Sequence, residues 1–221
     1  MSLVLYGHPF SSYTQKVLIA LYENGTAFEP RTIGPETPPE HMADWLRRWP
    51  LRKFPVLVDG DRSVIETSVI IEHLQLAHPG PVRLVPQDPR AAIEVRFLDR
   101  FFDLHVMNVV QHAVTGALSG DPVKRKDGLA FAVEKLDLAY AWAERELAGR
   151  TWAAPGGDFT LADCAAAPSL FYADWTHPIP ETCPVLRAYR ARLLARPSFA
   201  RAVDEARKYR SFFPLGAPDR D

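Results

Sequence analysis

The pattern of this chain changes abruptly at residues 78–90. There HPGPVRLVPQDPR carries four prolines and supports neither helical nor strand periodicity. Before this stretch short apolar runs alternate with helical spacing; after it only helical spacing remains. Such a break predicts two units of different class joined by a linker.

In the first unit, residues 3–6 (LVLY) read as a short buried strand, followed by a turn from Gly7 to Phe10 and a helix to about Asn24. A second strand is predicted over Thr26–Ile33, with Pro30 marking an edge or a terminus. Pro39-Glu40 can open a short helix through Trp45 to Arg48. FPVLVDGDRSVI reads as a hairpin: strand 55–58, an Asp59-Gly60 turn, strand 63–65. ETSVIIEHLQLAHPG reads as a helix with a Pro-Gly stop. A βαβ unit followed by ββα gives a small α/β domain with a mixed sheet.

The second unit reads as helices over Arg90–Gly116, Asp127–Leu147, Leu161–Trp175, Val185–Ala195 and Pro197–Tyr209, with a frayed end at PLGAPDRD. Thr160-Leu161-Ala162-Asp163 is a carboxylate version of a capping box, and Phe159 and Cys164 occupy its staple positions. Phe101, His105, Asn108 and His112 share one helical stripe. Its two histidines stand about 10 Å apart along the axis, too far to share one ion. Turned toward the α/β unit, the stripe would line a pocket.

Composition narrows the function classes. The 221 residues carry 26 basic and 27 acidic side chains, a net charge of −1, so no global field favours nucleic acid or an anionic membrane. No apolar stretch is long enough to cross a bilayer, and MSLVLYGHPF lacks the basic region of a secretory signal. Cys164 and Cys183 form no CxxC. The expectation is a cytoplasmic protein with no nucleic-acid, membrane or metal partner.

Three stretches of the α/β unit could carry chemistry. Ser11-Ser12 stands at a helix start, where a hydroxyl either caps the first turn or helps hold an anion. Lys53-Phe54-Pro55 precedes a strand; its X-Pro bond is either an ordinary trans bond or a cis bond that frees the Phe54 backbone to pair with an extended ligand. Glu66-Thr67 lies at a second strand-to-helix junction, with Thr67 as N-cap in the plainer reading. Two helix starts and a strand edge suit a short peptide with an anionic end and an ionisable middle group.

The segments HPFSSYTQKVLIAL, LRKFPVLVDGD, VIETSVIIEHL, RLVPQDP and FTLADCAAAPSLF occur in the order and spacing of the glutathione transferase family, which the chain resembles from about residue 3 to 210. The resemblance implies an α/β thioredoxin-like domain over residues 1–79 that binds glutathione, and an all-α helical domain over residues 88–221 that contributes the electrophile pocket. It places Ser11 where the serine-type classes keep their catalytic residue. It gives Phe54 the cysteinyl unit through its backbone, with Pro55 in cis. Glu66 and Thr67 take the γ-glutamyl end, Thr67 standing where Ser is more usual, and Lys53 pairs with the glycyl carboxylate. Arg52 departs from the small residue often found there. Glutathione is the implied co-substrate, a small electrophile the second substrate, and a homodimer the assembly.

The magnitudes allow this role for Ser11. A free thiol has a pKa of ~8.5, and lowering it by about two units takes roughly 2.7 kcal/mol. One hydrogen bond to an ionised acceptor contributes about 1.5–3 kcal/mol, and a helix N-terminus ~0.3–1. Ser12 and Tyr6 are the rival donors. HPFSSYT lacks the Gly-x-Ser-x-Gly elbow of a serine hydrolase, and the absence of Cys at position 11 argues against a glutathione-dependent disulfide reductase. SSYTQKV also resembles the zeta-type pattern of glutathione-dependent isomerases. A non-catalytic binding module of the same fold is the third reading.

Overall fold

A computed structural model describes residues 3–221. Four strands, β1 (Leu3–Gly7), β2 (Phe28–Thr32), β3 (Val56–Asp59) and β4 (Arg62–Ile65), form one sheet in the order β2-β1-β3-β4. β1 runs parallel to β2 and antiparallel to β3, and β3 is antiparallel to β4. This is the expected mixed sheet. Pro30 sits in β2, an edge strand, where its missing N–H costs no ladder bond.

Alternation along the strands sorts the side chains between two faces. Leu3, Leu5, Leu57 and Val64 pack against Val17, Leu18 and Leu21 of α1 (Ser12–Glu23) and against Ile70 and Leu74 of α3 (Thr67–Ala77). Tyr6, Val56 and Val58 turn the other way, against Trp45 of α2 (Pro39–Arg48). Gly7 ends β1 without a side chain because a Cβ there would lie 2.7 Å from Thr14 on α1.

The helical part comprises α4 (Pro89–Phe101), α5 (Asn108–Leu118), α6 (Pro122–Glu146), α7 (Leu161–Thr176), α8 (Pro184–Ala195) and α9 (Pro197–Ala206). Helix α7 is buried over nearly its whole length and forms the centre of the bundle. Asp163 reaches back to the Thr160 N–H (2.9 Å), as the capping-box spacing predicts. Among the described residues no helix is long and apolar enough to cross a membrane.

Four expectations need correction. The helix expected over Arg90–Gly116 contains a π-type turn at Phe102–Met107 that offsets the two halves of its periodicity. Helix α6 starts five residues early, because Asp121 caps the Val123 N–H (2.8 Å) and Pro122 takes the first helical position. The proline-rich linker is pinned: Leu84 and Val85 are buried, and Gln75 bonds both backbone groups of Val85 (2.8 and 2.9 Å). The C-terminal residues are tied down by ion pairs of Asp221 with Arg207 and Arg210 (both 2.8 Å).

Candidate active site

The sheet register brings the three candidate stretches to one end of the α/β domain. Tyr6 lies opposite Val56, and Val56 lies opposite Ile65. The exit of β1 toward Ser11, the entry to β3 after Phe54-Pro55, and the exit of β4 toward Glu66 therefore stand side by side.

Ser11 is the N-cap of α1. Its backbone is extended (φ −80°, ψ 126°), and its Oγ accepts the Thr14 N–H at 3.3 Å. That bond uses a lone pair and leaves the hydroxyl proton free to donate. Capping and ligand binding are thus compatible at this residue. Ser12 is instead the first helical residue; it is buried, and its hydroxyl has no partner in the structure.

The turn carrying Ser11 is anchored from both domains. Tyr172 on α7 donates its hydroxyl to the Phe10 carbonyl (2.8 Å), and Gln15 Nε2 donates to the Pro9 carbonyl (3.1 Å). The Phe10 ring packs edge-on against Tyr172, with centroids 5.4 Å apart.

The Phe54–Pro55 bond is cis. Strand pairing starts at Val56, so Phe54 stands outside the ladder. Trp45 Nε1 donates to the Lys53 carbonyl (3.1 Å), which holds the loop while the Lys53 side chain is exposed. Arg52 has φ +55°, a left-handed conformation that a glycine would adopt without strain.

At the third stretch the cap is Glu66 rather than Thr67. Glu66 has φ +67°, makes no side-chain capping bond and is exposed, while Thr67 begins α3 and is buried. A left-handed backbone at a non-glycine residue costs about 1–3 kcal/mol and concentrates at ligand clamps. Helix α1 has no acidic residue in its first turn or at its cap, so its positive end stays unneutralised, whereas α3 has a carboxylate at its cap, Glu66.

Beneath these turns lies a buried charge network that the sequence reading missed. Lys16 on α1, 1% exposed, meets Asp99 (2.5 Å) and Asp103 (2.7 Å) from the α4 side and donates to Ser68 Oγ (3.0 Å) at the start of α3. Arg100 adds a second cation, so two positive groups balance two carboxylates. Burial raises the Asp103 carboxyl, opposed by the Lys16 charge. Asp103 belongs to the π-type turn, which connects that irregularity to the site. Tyr13 is pushed up to about 12, first by burial and then by Asp103, with Arg100 opposing and Glu66 adding. The available signal was a lysine inside the apolar run QKVLIAL, which needs a buried partner.

Tyr6, the rival donor, is fully buried, donates to Asp44 Oδ2 (2.6 Å) and accepts from Arg31 (2.6 Å). Burial and the Asp44 carboxylate raise its phenol, leaving no free proton for a ligand. The Phe101–His112 stripe turns toward α6 rather than the α/β domain: with Phe131, Leu138 and Trp142 it lines a groove of about 640 Å³. The face that meets the α/β domain carries Arg96 and Asp99 of α4 and Asp103 of the π-type turn instead. A separate cavity of about 420 Å³ opens at His8, next to the Ser11 turn, between Thr32, Pro38, Tyr209 and Phe212.

A four-stranded thioredoxin-like sheet with a cis-proline entry to β3, followed by a helical bundle, defines the class. Residues 5–82 match the glutathione S-transferase N-terminal domain and residues 110–192 the glutathione S-transferase C-terminal domain. The chain belongs to the glutathione S-transferase family. It is similar to a solved glutathione S-transferase from Methylobacterium radiotolerans in complex with glutathione sulfonate, at 33% identity and a TM-score of 0.75, covering 92% of this chain and 95% of that one. It is 29% identical to a probable maleylacetoacetate isomerase of Vibrio cholerae (93% of this chain, 97% of the relative). It is also 29% identical to glutathione S-transferase 4 of Zea mays (96% and 94%).

Proposed function

We propose that the protein binds glutathione at the converging ends of β1, β3 and β4 and activates its thiolate through the Ser11 hydroxyl for attack on a small electrophile. The observation that carries this reading is the Ser11 geometry: an oxygen committed to the Thr14 N–H, a hydroxyl proton left to donate, and a helix start without a competing acid. Such a donor stabilises the thiolate over the thiol and needs no general base. The Phe54 backbone would pair with the cysteinyl unit, with Pro55 shaping the entry. Glu66 and Thr67 would hold the γ-glutamyl end, and Lys53 the glycyl carboxylate. The aromatic walls at His8, Tyr209 and Phe212 support the neighbouring cavity as the place for an apolar electrophile. The family's two-fold homodimer and a reducing cytoplasm complete the proposal, the latter in keeping with two free, buried cysteines.

The likeness to the Vibrio cholerae relative favours a second reading, in which the same thiolate adds to a double bond and leaves again after rotation. One assay separates the two. With an electrophile panel that includes a cis-enone, a transferase consumes one glutathione per turnover, whereas an isomerase turns over with glutathione unchanged. Calorimetric binding without either reaction would favour the binding module. No binding at millimolar glutathione would remove all three.

A further inference from the structure

The opposite end of the α/β domain holds a second cluster of chemistry-bearing side chains. Asp59 closes β3 at the hairpin turn, three residues past Val56, so it lies away from the Pro55 end of that strand. His73 lies in the second half of α3, and His78 immediately follows that helix. Both Nε2 atoms converge on one oxygen, Asp59 Oδ2, at 2.9 Å from His73 and 2.7 Å from His78. All three ligating atoms fall within 4.8 Å of one another, and the two rings stand edge to face with centroids 6.2 Å apart.

We propose that Asp59, His73 and His78 form a binding site for a divalent transition-metal ion of the zinc type. Two imidazoles and a carboxylate are the donor set that zinc takes, and the nitrogens select it over magnesium or calcium. With metal–ligand bonds of about 2.0–2.2 Å, tetrahedral ligands lie about 3.3 Å apart. The two His–Asp pairs must therefore open by about half an ångström, and the two histidine nitrogens, within 4.8 Å of each other, must settle at the same spacing. The side chains are partly exposed and can make that adjustment, and water takes the remaining position.

The convergence is not an accident of helical spacing. Residues five apart on an α-helix point about 140° away from each other. His78 reaches the same side as His73 because the chain leaves the helix there, at φ −134° and ψ 57°, while its N–H still bonds the Leu74 carbonyl (2.8 Å). The ion would clip the β3–β4 turn to the end of α3 and to the start of the Pro79 linker. Asp59 Oδ2 can only accept, so each Nε2 carries a hydrogen in the metal-free structure, and binding a metal through Nε2 displaces it to Nδ1 or to solvent.

The test is calorimetric titration of Zn²⁺ into the EDTA-treated full chain at neutral pH, with Co²⁺ absorption as a report on ligand geometry. The expected result is one saturable site. Its occupancy at a hundredfold excess over Kd should raise Tm by roughly 5–10 °C. His73→Gln and Asp59→Asn should each weaken binding at least tenfold, and His73→Gln with His78→Gln should abolish it. His105→Gln with His112→Gln should leave it unchanged. Unaltered metal-free Tm values in the variants establish that they fold. Absence of saturable binding at 1 mM Zn²⁺, or equal binding by the His73/His78 double variant, would overturn the assignment.

Discussion

Helices α1 and α7 both start at a hydroxyl residue, Ser11 and Thr160, yet the two starts differ in what they leave over. At Thr160 the polar groups are buried and mutually bonded. Asp163 Oδ1 accepts from the Ala153 N–H (2.8 Å) and the Tyr189 hydroxyl (2.6 Å), and Oδ2 accepts from the Thr160 N–H (2.9 Å) and hydroxyl (3.1 Å). At Ser11 the side chain makes one bond of 3.3 Å, lies partly open to solvent and keeps its proton. A capping residue alone therefore does not mark a site. What marks one is a cap with an unused donor, next to other backbone groups that are also unpaired.

The largest effect that would sharpen this contrast belongs to α7. Asp163→Ala strips the acceptor from four buried donors and should cost at least about 4 kcal/mol in denaturant unfolding, since each orphaned buried group costs roughly 1–3. Glutathione affinity of the fraction still folded should not change. If affinity fell in step with stability, the capping box would belong to the site and the contrast would fail.

Ser11→Ala should act in the opposite sense. Conjugation at neutral pH should fall about tenfold or more, because one charge-assisted hydrogen bond is worth roughly 1.5–3 kcal/mol. Stability should fall by only about 1 kcal/mol, the value of the cap. Steady-state rates beside chemical unfolding give both numbers.

Glu66→Gly tests the strained cap of α3. Releasing the positive φ should raise stability by up to about 1 kcal/mol, while glutathione binding weakens several-fold in calorimetry. A loss of both would mean that Glu66 serves the fold rather than the ligand.

Asp44 supplies the pH test for the rival donor. Burial raises its carboxyl, but hydrogen bonds from Arg48, Tyr6 and Arg47 outweigh that and hold it at about 2. A lowered carboxylate stabilises the fold above its unfolded pKa near 3.9, and that contribution is lost as pH falls through about 2. Asp44→Asn should remove about 1 kcal/mol of acid sensitivity between pH 4 and 2, a value reduced by solvent screening. An unchanged acid limb would detach Asp44 from the Tyr6 contact. Ser12 differs in sign: its buried hydroxyl has no partner, so Ser12→Ala should raise stability by about 1 kcal/mol and leave turnover unchanged.

The parts of the molecule legible in the sequence are those set by near neighbours. The Thr160–Asp163 spacing, Pro39 at the start of α2, the Asp59-Gly60 turn and the edge position implied by Pro30 all act within a few residues. The Phe54-Pro55 segment was legible only through the family pattern, since an X-Pro pair alone favours trans. The missed features depend on distant partners. Lys16 is explained by Asp99 and Asp103, more than eighty residues away, and the C-terminal residues by Asp221 pairing back to Arg207 and Arg210. The π-type turn at Phe102–Met107 is invisible to a fixed 3.6-residue period. The stripe from Phe101 to His112 survives that turn as one face, but it meets α6, a distant partner that periodicity does not name. At Glu66-Thr67 the cap was placed one residue late, because Thr is the better capping side chain; here backbone geometry overrides that preference.

Ultraviolet absorbance of bound glutathione, titrated against pH, reads out whether the spare proton on Ser11 stabilises the thiolate. The wild-type protein should hold the thiol about two units below its free value, and Ser11→Ala should raise it by about one to two units with little change in glutathione affinity. A bound-thiol pKa that is the same in Ser11→Ala as in the wild type would mean that Ser11 does not stabilise the thiolate.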